Sequence, residues 1–222
     1  MTIENAIINL DNIIKRVEDS RLKIDKHLIV QLIAVSKYST ANDIKELYNA
    51  GQRAFGENKI QDLKQKKSEL SELPISWHFI GTLQKNKINN LIDLNPVLFH
   101  SLDSIELAKE LDKKLKVKNK TMNCLLQINS AYEDSKSGVE PKEAVSIYNE
   151  IKEKYTNINL KGVMSIGAHS DDKATIENSF KVTKAIFEQI DGTICSMGMS
   201  SDFETAILHC SNMIRVGSSL FK

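Results

Sequence analysis

Three shortages narrow the classes of protein to which this chain of 222 residues can belong. Cysteine occurs only three times, at Cys124, Cys195 and Cys210, without CxxC or other metal-ligand spacing, and the odd count argues against a disulfide scaffold. The formal net charge is only +1, so global electrostatics give no support for nucleic-acid binding. No apolar run approaches membrane length, and the first ten residues lack the basic region of a signal peptide. We therefore expect a cytoplasmic protein with no nucleic-acid or membrane partner.

What the chain does have is a regular alternation of strand-like and helix-like segments. A helix is predicted over residues 3–20, with an apolar stripe that includes Ile7, Leu10 and Ile14. Eight strands are then predicted at residues 28–36, 53–56, 77–81, 97–101, 122–129, 159–166, 193–196 and 213–216. Most are apolar on both faces, which is typical of a parallel sheet covered by helices. Eight such strands predict a single α/β domain over residues 1–222, a (β/α)8 barrel of TIM type with an extra N-terminal helix.

An open, doubly wound sheet is the alternative fold for this alternation. That fold binds its nucleotide through a glycine-rich turn after the first strand. The corresponding turn here is Ser-Lys-Tyr-Ser, residues 36–39, which contains no glycine. The barrel is therefore favoured.

Polar and glycine residues gather at the carboxyl ends of the predicted strands, the edge where such barrels place their active sites. The strand ends supply Lys37, Glu57, Asn58, His78, Ser101, Asn129, Ser165, Met197, Ser200, Arg215, Gly217 and Ser218. This set contains no paired carboxylates, no nucleophile elbow and no metal triad, and the histidines show no ligand spacing. We expect neither a catalytic residue of these common kinds nor a metal.

Two features on the first and last strands point to a phosphorylated aldehyde. Lys37 follows a buried apolar run, where a partly desolvated amine becomes nucleophilic and can condense with an aldehyde. The turns holding Ser200, Gly217 and Ser218 offer hydroxyl and amide donors, which suit an anion at the rim where barrels often bind phosphate. An amine and a phosphate cradle at one edge describe a site for pyridoxal phosphate.

Each of these residues also has a purely structural interpretation. Lys37 can extend its amine into solvent from a strand end. Arg215 can form an internal salt bridge, and His78 can be a satisfied core histidine. These alternatives stay open on the sequence alone.

Eight short segments together resemble the pyridoxal phosphate homeostasis proteins, which are related to the N-terminal barrel of alanine racemase. The segments are Ala34-Val-Ser-Lys37, Phe55-Gly-Glu-Asn58, Trp77-His-Phe-Ile-Gly-Thr-Leu-Gln-Lys-Asn-Lys87, Ser101-Leu-Asp103, Ser135-Lys-Ser-Gly138, Gly162-Val-Met-Ser-Ile166, Ser196-Met-Gly-Met-Ser-Ser-Asp202 and Arg215-Val-Gly-Ser218. They occur in order across nearly the whole chain. No single segment is decisive, but the ordered set is specific.

The resemblance assigns roles to the strand-end residues. It implies that Lys37 carries pyridoxal 5'-phosphate as an internal aldimine and that Arg215 faces the pyridine nitrogen. Ser200, Gly217 and Ser218 would bind the phosphate, and Asn58, His78, Ser165 and Met197 would line the pocket. Lys136 matches a second family lysine associated with handling of the cofactor. Ser39 departs from the family, since many relatives have a lysine there, and this puts any role of that lysine in doubt for this chain.

The resemblance leaves a carrier and an enzyme to be distinguished. A homeostasis protein stores or delivers the cofactor, with apo-enzymes as its acceptors, whereas an amino-acid racemase needs an acid or base on each face of the substrate. Lys37 can serve one face, but neither Tyr38 nor Tyr132 is marked as the opposing base. A cation at the ring nitrogen would also weaken the ring as an electron sink. We therefore expect a monomeric carrier without substantial turnover.

Overall fold

The computed structural model describes residues 1–133 and 137–222, which form a closed barrel of eight parallel strands. The strands are β1 Gln31–Val35, β2 Ala54–Glu57, β3 Ser76–Phe79, β4 Leu98–Leu102, β5 Met122–Ile128, β6 Ile158–Ser165, β7 Ile194–Ser196 and β8 Met213–Val216. The helices are α1 Ile3–Arg21, α2 Ala41–Asn49, α3 Ile60–Glu69, α4 Ile88–Leu94, α5 Ile105–Val117, α6 Ala144–Lys154, α7 Lys173–Phe187 and α8 Phe203–Leu208. The predicted barrel with its extra N-terminal helix is confirmed.

Closure of the barrel joins the first strand to the last. Each strand pairs with the next in chain order, and β1 also pairs with β8, so that Ile33 lies opposite Arg215. Side chains alternate between the two faces of each strand, which separates two apolar cores. One core fills the barrel with Ile33, Ala54, Leu98, Leu125, Met164 and Met213, and the other lies between the strands and the helices. Cys124 and Cys195 are completely buried in this outer core.

The N-terminal helix fills a gap in the helical ring. Helices α2 to α8 each precede the next strand, and α1 packs between α8 and α2. Its buried face contains Ala6, Leu10, Ile13 and Val17. Ile7 and Ile14 were predicted on this stripe, but they are 43% and 47% exposed, because a period of 3.6 residues carries them past its edge.

The structure moves several predicted boundaries by a few residues. The first strand is shorter than residues 28–36, since its pairing with β8 begins at Gln31. Pro141 is of a residue type favoured at the first position of a helix, but it does not begin one here. Residues 141–143 form a turn, in which the Ala144 amide donates to the Pro141 carbonyl at 3.3 Å, and α6 begins at Ala144.

Candidate functional site

A cleft of about 950 Å³ opens at the carboxyl ends of the strands. Six of the nine residues predicted for the site line it, namely Lys37, Asn58, Ser200, Arg215, Gly217 and Ser218. Residues that were not predicted to bind the cofactor also line it, among them Tyr38, Lys59, Gly81, Thr82, Met199 and Phe221. Most of them are next to predicted site residues or strand ends, so the strand-end pattern was the available signal. Lys37 and Arg215 thus lie at the same end of the barrel.

Lys37 stands at the rim of this cleft. Strand β1 ends at Val35, Ser36 is completely buried, and Lys37 is exposed. Its Nζ lies 5.0 Å from the centre of the Tyr38 ring, which is itself 90% exposed. The expected partial desolvation of Lys37 is therefore wrong, because the lysine comes one residue later relative to the buried strand than the apolar pattern indicated. The amine is accessible from solvent.

Arg215 projects from β8 toward the floor of the cleft and is only 5% exposed. Its Nη1 donates to the carbonyl and hydroxyl oxygens of Ser196 at 3.0 and 2.7 Å, and its Nη2 donates to the Ser165 carbonyl at 2.8 Å. Burial lowers the pKa of the guanidinium to about 10, with the Asp202 carboxylate acting in the opposite direction. The group therefore stays cationic at neutral pH. Its hydrogen-bond partners in the described parts of the chain are neutral, so the salt-bridge alternative is not what these residues form.

Two buried histidines lie inside the barrel near Arg215. The Nδ1 of His78 is 2.9 Å from the Nε2 of His100, and both rings are almost inaccessible. Burial lowers the pKa of His78 to about 4, and burial, His78 and Arg215 together hold the pKa of His100 well below its usual value. Both rings are therefore neutral at pH 7. Within residues 1–133 and 137–222, the outer nitrogens of the pair, His78 Nε2 and His100 Nδ1, have no hydrogen-bond partner.

Three predicted pocket residues do not line the cleft. His78 lies buried below it, as part of the histidine pair. On β6, Met164 lines the cleft, so the alternation of side chains turns Ser165 outward, where its hydroxyl accepts a hydrogen bond from Thr183 at 2.8 Å. Met197 is completely buried in the outer core. Ser165 is connected to the site through its backbone carbonyl, which accepts the hydrogen bond from Arg215. Lys136 lies outside the described residues.

The turns after β7 and β8 meet at the cleft. The Gly217 amide donates to the Ser200 hydroxyl oxygen at 3.2 Å, which ties the two turns together and leaves the Ser200 hydroxyl hydrogen free to point elsewhere. Ser218 is exposed in the same lining. The donors that this region offers to the cleft are serine hydroxyls and turn amides.

Asn58 completes the lining on the side of β2 and β3. A Cβ placed on Gly81 would lie 1.9 Å from the Asn58 carbonyl oxygen, so only glycine permits this close approach of the two strand ends. In the part of the chain that the structure describes, the buried Asn58 Oδ1 has no hydrogen-bond partner. An accessible amine, a buried cation, an unpaired amide oxygen and two serine hydroxyls are a donor and acceptor set that fits a phosphorylated aromatic aldehyde.

Comparison with known proteins places the barrel in a defined class. The family model for the alanine racemase N-terminal domain matches residues 8–222. Alanine racemase of Clostridium difficile shares the fold with a TM-score of 0.76 at 16% identity, over 99% of this chain and 57% of the racemase. At that identity the likeness concerns the fold alone.

More similar relatives define the family within that class. A pyridoxal phosphate homeostasis protein of Helicobacter pylori is 51% identical over 214 residues, which cover 96% of each chain. The human protein of the same name is 36% identical over 86% of this chain and 75% of its own length. The structure of PipY from Synechococcus elongatus with PLP bound matches with a TM-score of 0.80 at 31% identity, over 94% of this chain and 99% of PipY. The chain belongs to the family of pyridoxal phosphate homeostasis proteins.

No helix in residues 1–133 and 137–222 is long and apolar enough to span a membrane. Those residues also contain no cluster of three or more histidine, cysteine or acidic side chains that is arranged to hold a metal ion.

Proposed function

We propose that this protein binds pyridoxal 5'-phosphate, attached covalently through Lys37, and serves in pyridoxal phosphate homeostasis without substantial turnover of amino acids. The observation that carries the proposal is the convergence of an accessible lysine, two serines and a buried arginine on one cleft. The curated relatives named for this homeostasis and the PLP-bound structure of PipY support it. When bound, the cofactor supplies an aldehyde that a primary amine can attack and a ring that withdraws electrons.

The residues of the cleft divide the binding task among them. Lys37 Nζ is the only predicted attachment point and is exposed to the cleft. Ser200 and Ser218 donate hydrogen bonds to the phosphate at the turns after β7 and β8. Arg215 is proposed to face the pyridine nitrogen from the floor, while Asn58 forms the wall of the cleft on the side of β2 and β3.

Three features of the cleft support a carrier over a racemase. Tyr38 and Tyr132, the tyrosines near the rim, are 90% and 62% exposed, so neither is held over the site as an opposing base. The cationic Arg215 disfavours a protonated ring nitrogen beside it, which weakens the electron sink that racemisation requires. The exposure of Lys37 admits water to the reacting centre. Each feature opposes a different requirement of the racemase reaction.

The direct test is the absorbance spectrum of the protein mixed with pyridoxal phosphate, before and after borohydride reduction. We expect a visible band that reduction removes, with the label fixed on the peptide containing Lys37. Lys59→Ala is the matched control, because Lys59 is an exposed lysine of the same cleft. Lys37→Ala should abolish the band and Lys59→Ala should keep it. An unchanged band and label in Lys37→Ala would refute the assignment.

Delivery of the cofactor to apo-enzymes, a monomeric state and a cytoplasmic location stay predictions. Transfer is measured by mixing the loaded protein with an apo-enzyme and following the recovery of that enzyme's activity. Recovery no faster than with the same amount of free pyridoxal phosphate would contradict delivery.

A further inference from the structure

A buried ion pair lies directly behind the wall of the cleft. Glu57, at the end of β2, is completely buried, and its Oε1 lies 2.7 Å from Nζ of Lys66 on α3. The hydroxyl of Ser36, just after β1, donates to the same carboxylate oxygen at 2.6 Å. We call these three residues, Ser36, Glu57 and Lys66, the clamp. It joins two strand ends to one helix.

The clamp acts on the peptide group that carries Lys37. Lys66 Nζ also donates to the Ser36 carbonyl at 2.7 Å, and this carbonyl belongs to the peptide bond between Ser36 and Lys37. The Ser36 amide donates to the Gly56 carbonyl at 3.0 Å, and the Ser39 amide donates to the Ser36 carbonyl at 2.9 Å. The backbone immediately before Lys37 is therefore held from three directions.

Alternation along the two strands links the clamp to the cleft. Ser36 and Glu57 point toward the helices, while the next residue at each strand end, Lys37 and Asn58, lines the cleft. Each strand end thus contributes one residue to the clamp and the following residue to the cleft. A shift of either strand end would move a cleft residue with it.

Stability alone is a weak reason for this ion pair. Removing a carboxylate and an ammonium from water costs several kcal/mol per ion, and apolar replacements of buried pairs are often neutral or stabilising. A contrasting pair on the surface, Lys118 and Asp93, has side chains that are 29% and 61% exposed and avoids most of this cost. A buried pair that makes two hydrogen bonds to Ser36, at the end of a neighbouring strand, is better explained by what it holds in place.

We propose that Glu57 and Lys66 are positioning residues that fix Lys37 and Asn58 for attachment of the ligand. This inference rests on the proposed function, since it concerns the same cleft. Within residues 1–133 and 137–222, the hydrogen bonds and the ion pair of the clamp involve neither the phosphate turns nor Arg215, so we expect its loss to act on the aldehyde end of the ligand.

The test replaces the pair by apolar residues of similar size, in Glu57→Leu/Lys66→Met, so that no buried charge is left unpaired. Lys67→Met is the control, because Lys67 is the neighbouring lysine of α3 and donates instead to the Leu94 carbonyl, away from the cleft. The measurements are the urea midpoint, the dissociation constants for pyridoxal phosphate and pyridoxal, and the pH at which the visible band is half lost.

The double variant should keep the urea midpoint of the parent but bind both ligands about tenfold or more weakly, since small misplacements of reacting groups are costly. The pH at which the visible band is half lost should also shift in the double variant. Lys67→Met should match the parent in all of these measurements. Parent-like affinities and pH dependence in a folded double variant would overturn the inference. A loss confined to pyridoxal phosphate would overturn it too, because that result belongs to the phosphate turns.

Two further outcomes are kept distinct. If the parent protein itself binds neither ligand, the proposed function fails. If the double variant does not fold, Ser36→Ala gives the decision, because it removes only the hydroxyl that donates to Glu57. This variant should weaken both ligands by the same smaller factor, and affinities equal to those of the parent would overturn the inference.

Discussion

The phosphate turns give the sharpest quantitative prediction. The perturbation is Ser200→Ala/Ser218→Ala, which removes two hydroxyl donors from the cleft and leaves Lys37 and Arg215 intact. Pyridoxal phosphate and pyridoxal share the aldehyde and the ring and differ only in the phosphate. The ratio of their affinities therefore reports on this part of the cleft alone.

The structure sets the expected size of the effect. A charge-assisted hydrogen bond contributes about 1.5–3 kcal/mol, so two independent donors would correspond to about 3–6 kcal/mol. Ser200 is not independent, because its oxygen accepts the Gly217 amide at 3.2 Å, and its removal frees that amide to donate to the phosphate. Ser218 is exposed, where water partly replaces its bond. We therefore expect a total loss of about 1.5–3 kcal/mol in binding free energy, which corresponds to a dissociation constant roughly 10- to 150-fold larger.

The assay is a titration of the visible band with each aldehyde, at fixed pH and salt. Pyridoxal should bind the variant and the parent equally, and only pyridoxal phosphate should lose affinity. The single variant Ser201→Ala is the control, since Ser201 is an exposed serine of the same lining without a proposed role in phosphate binding. An equal loss for both aldehydes would refute the reasoning, because the serines would then support the whole cleft.

Three other predictions follow from the same geometry. The pKa of His78 is about 4 in the folded protein against the ordinary histidine value of 6.5, so the unfolded chain binds the proton first and stability falls as the pH drops below 6.5. Unfolding in urea without ligand should show that the free energy of unfolding falls by about 2 kcal/mol through His78 between pH 7 and pH 5. The double variant His78→Gln/His100→Gln should lose this dependence on pH, whereas the exposed control His27→Gln should keep it. Gly81→Ala should destabilise the fold and lower the affinity for both aldehydes, because its Cβ would clash with the Asn58 carbonyl, and unchanged urea and binding curves would contradict the close approach. Incubation with L-alanine and other L-amino acids in deuterated water should show at most slow exchange without inversion, whereas turnover on the order of 1 s⁻¹ would identify a racemase.

The barrel was predictable because its signal is repeated eight times. Each strand is an apolar run that ends in a polar or glycine turn. An error of a few residues at one boundary therefore changes neither the number of strands nor the residues placed at their carboxyl ends. Lys37, Ser200 and Gly217 were placed at one rim by this logic alone. The pattern also located Arg215, although its neutral partners, Ser196 and the Ser165 carbonyl, come from other strands and leave no mark near it in sequence.

The wrong predictions of pocket residues arise where a shift of one residue along a strand decides whether a side chain faces the cleft. A strand alternates its side chains, so Ser165 and Met197 needed a correct inward or outward assignment, and a resemblance between segments does not carry that information. The clamp was missed for a different reason. Lys66 lies on α3 among other lysines that look alike on a helix surface, and only the folded structure separates it from Lys67.

Pairing of β1 with β8 has a consequence for the order of events during synthesis. Lys37 follows the first strand and Arg215 lies on the last, so the two halves of the cleft meet only after β8 has left the ribosome and closed the sheet. Contacts so distant in sequence form late and slowly. A nascent chain would therefore carry its lysine without the arginine or the phosphate turns, and it would compete poorly for a scarce reactive aldehyde until the barrel is complete.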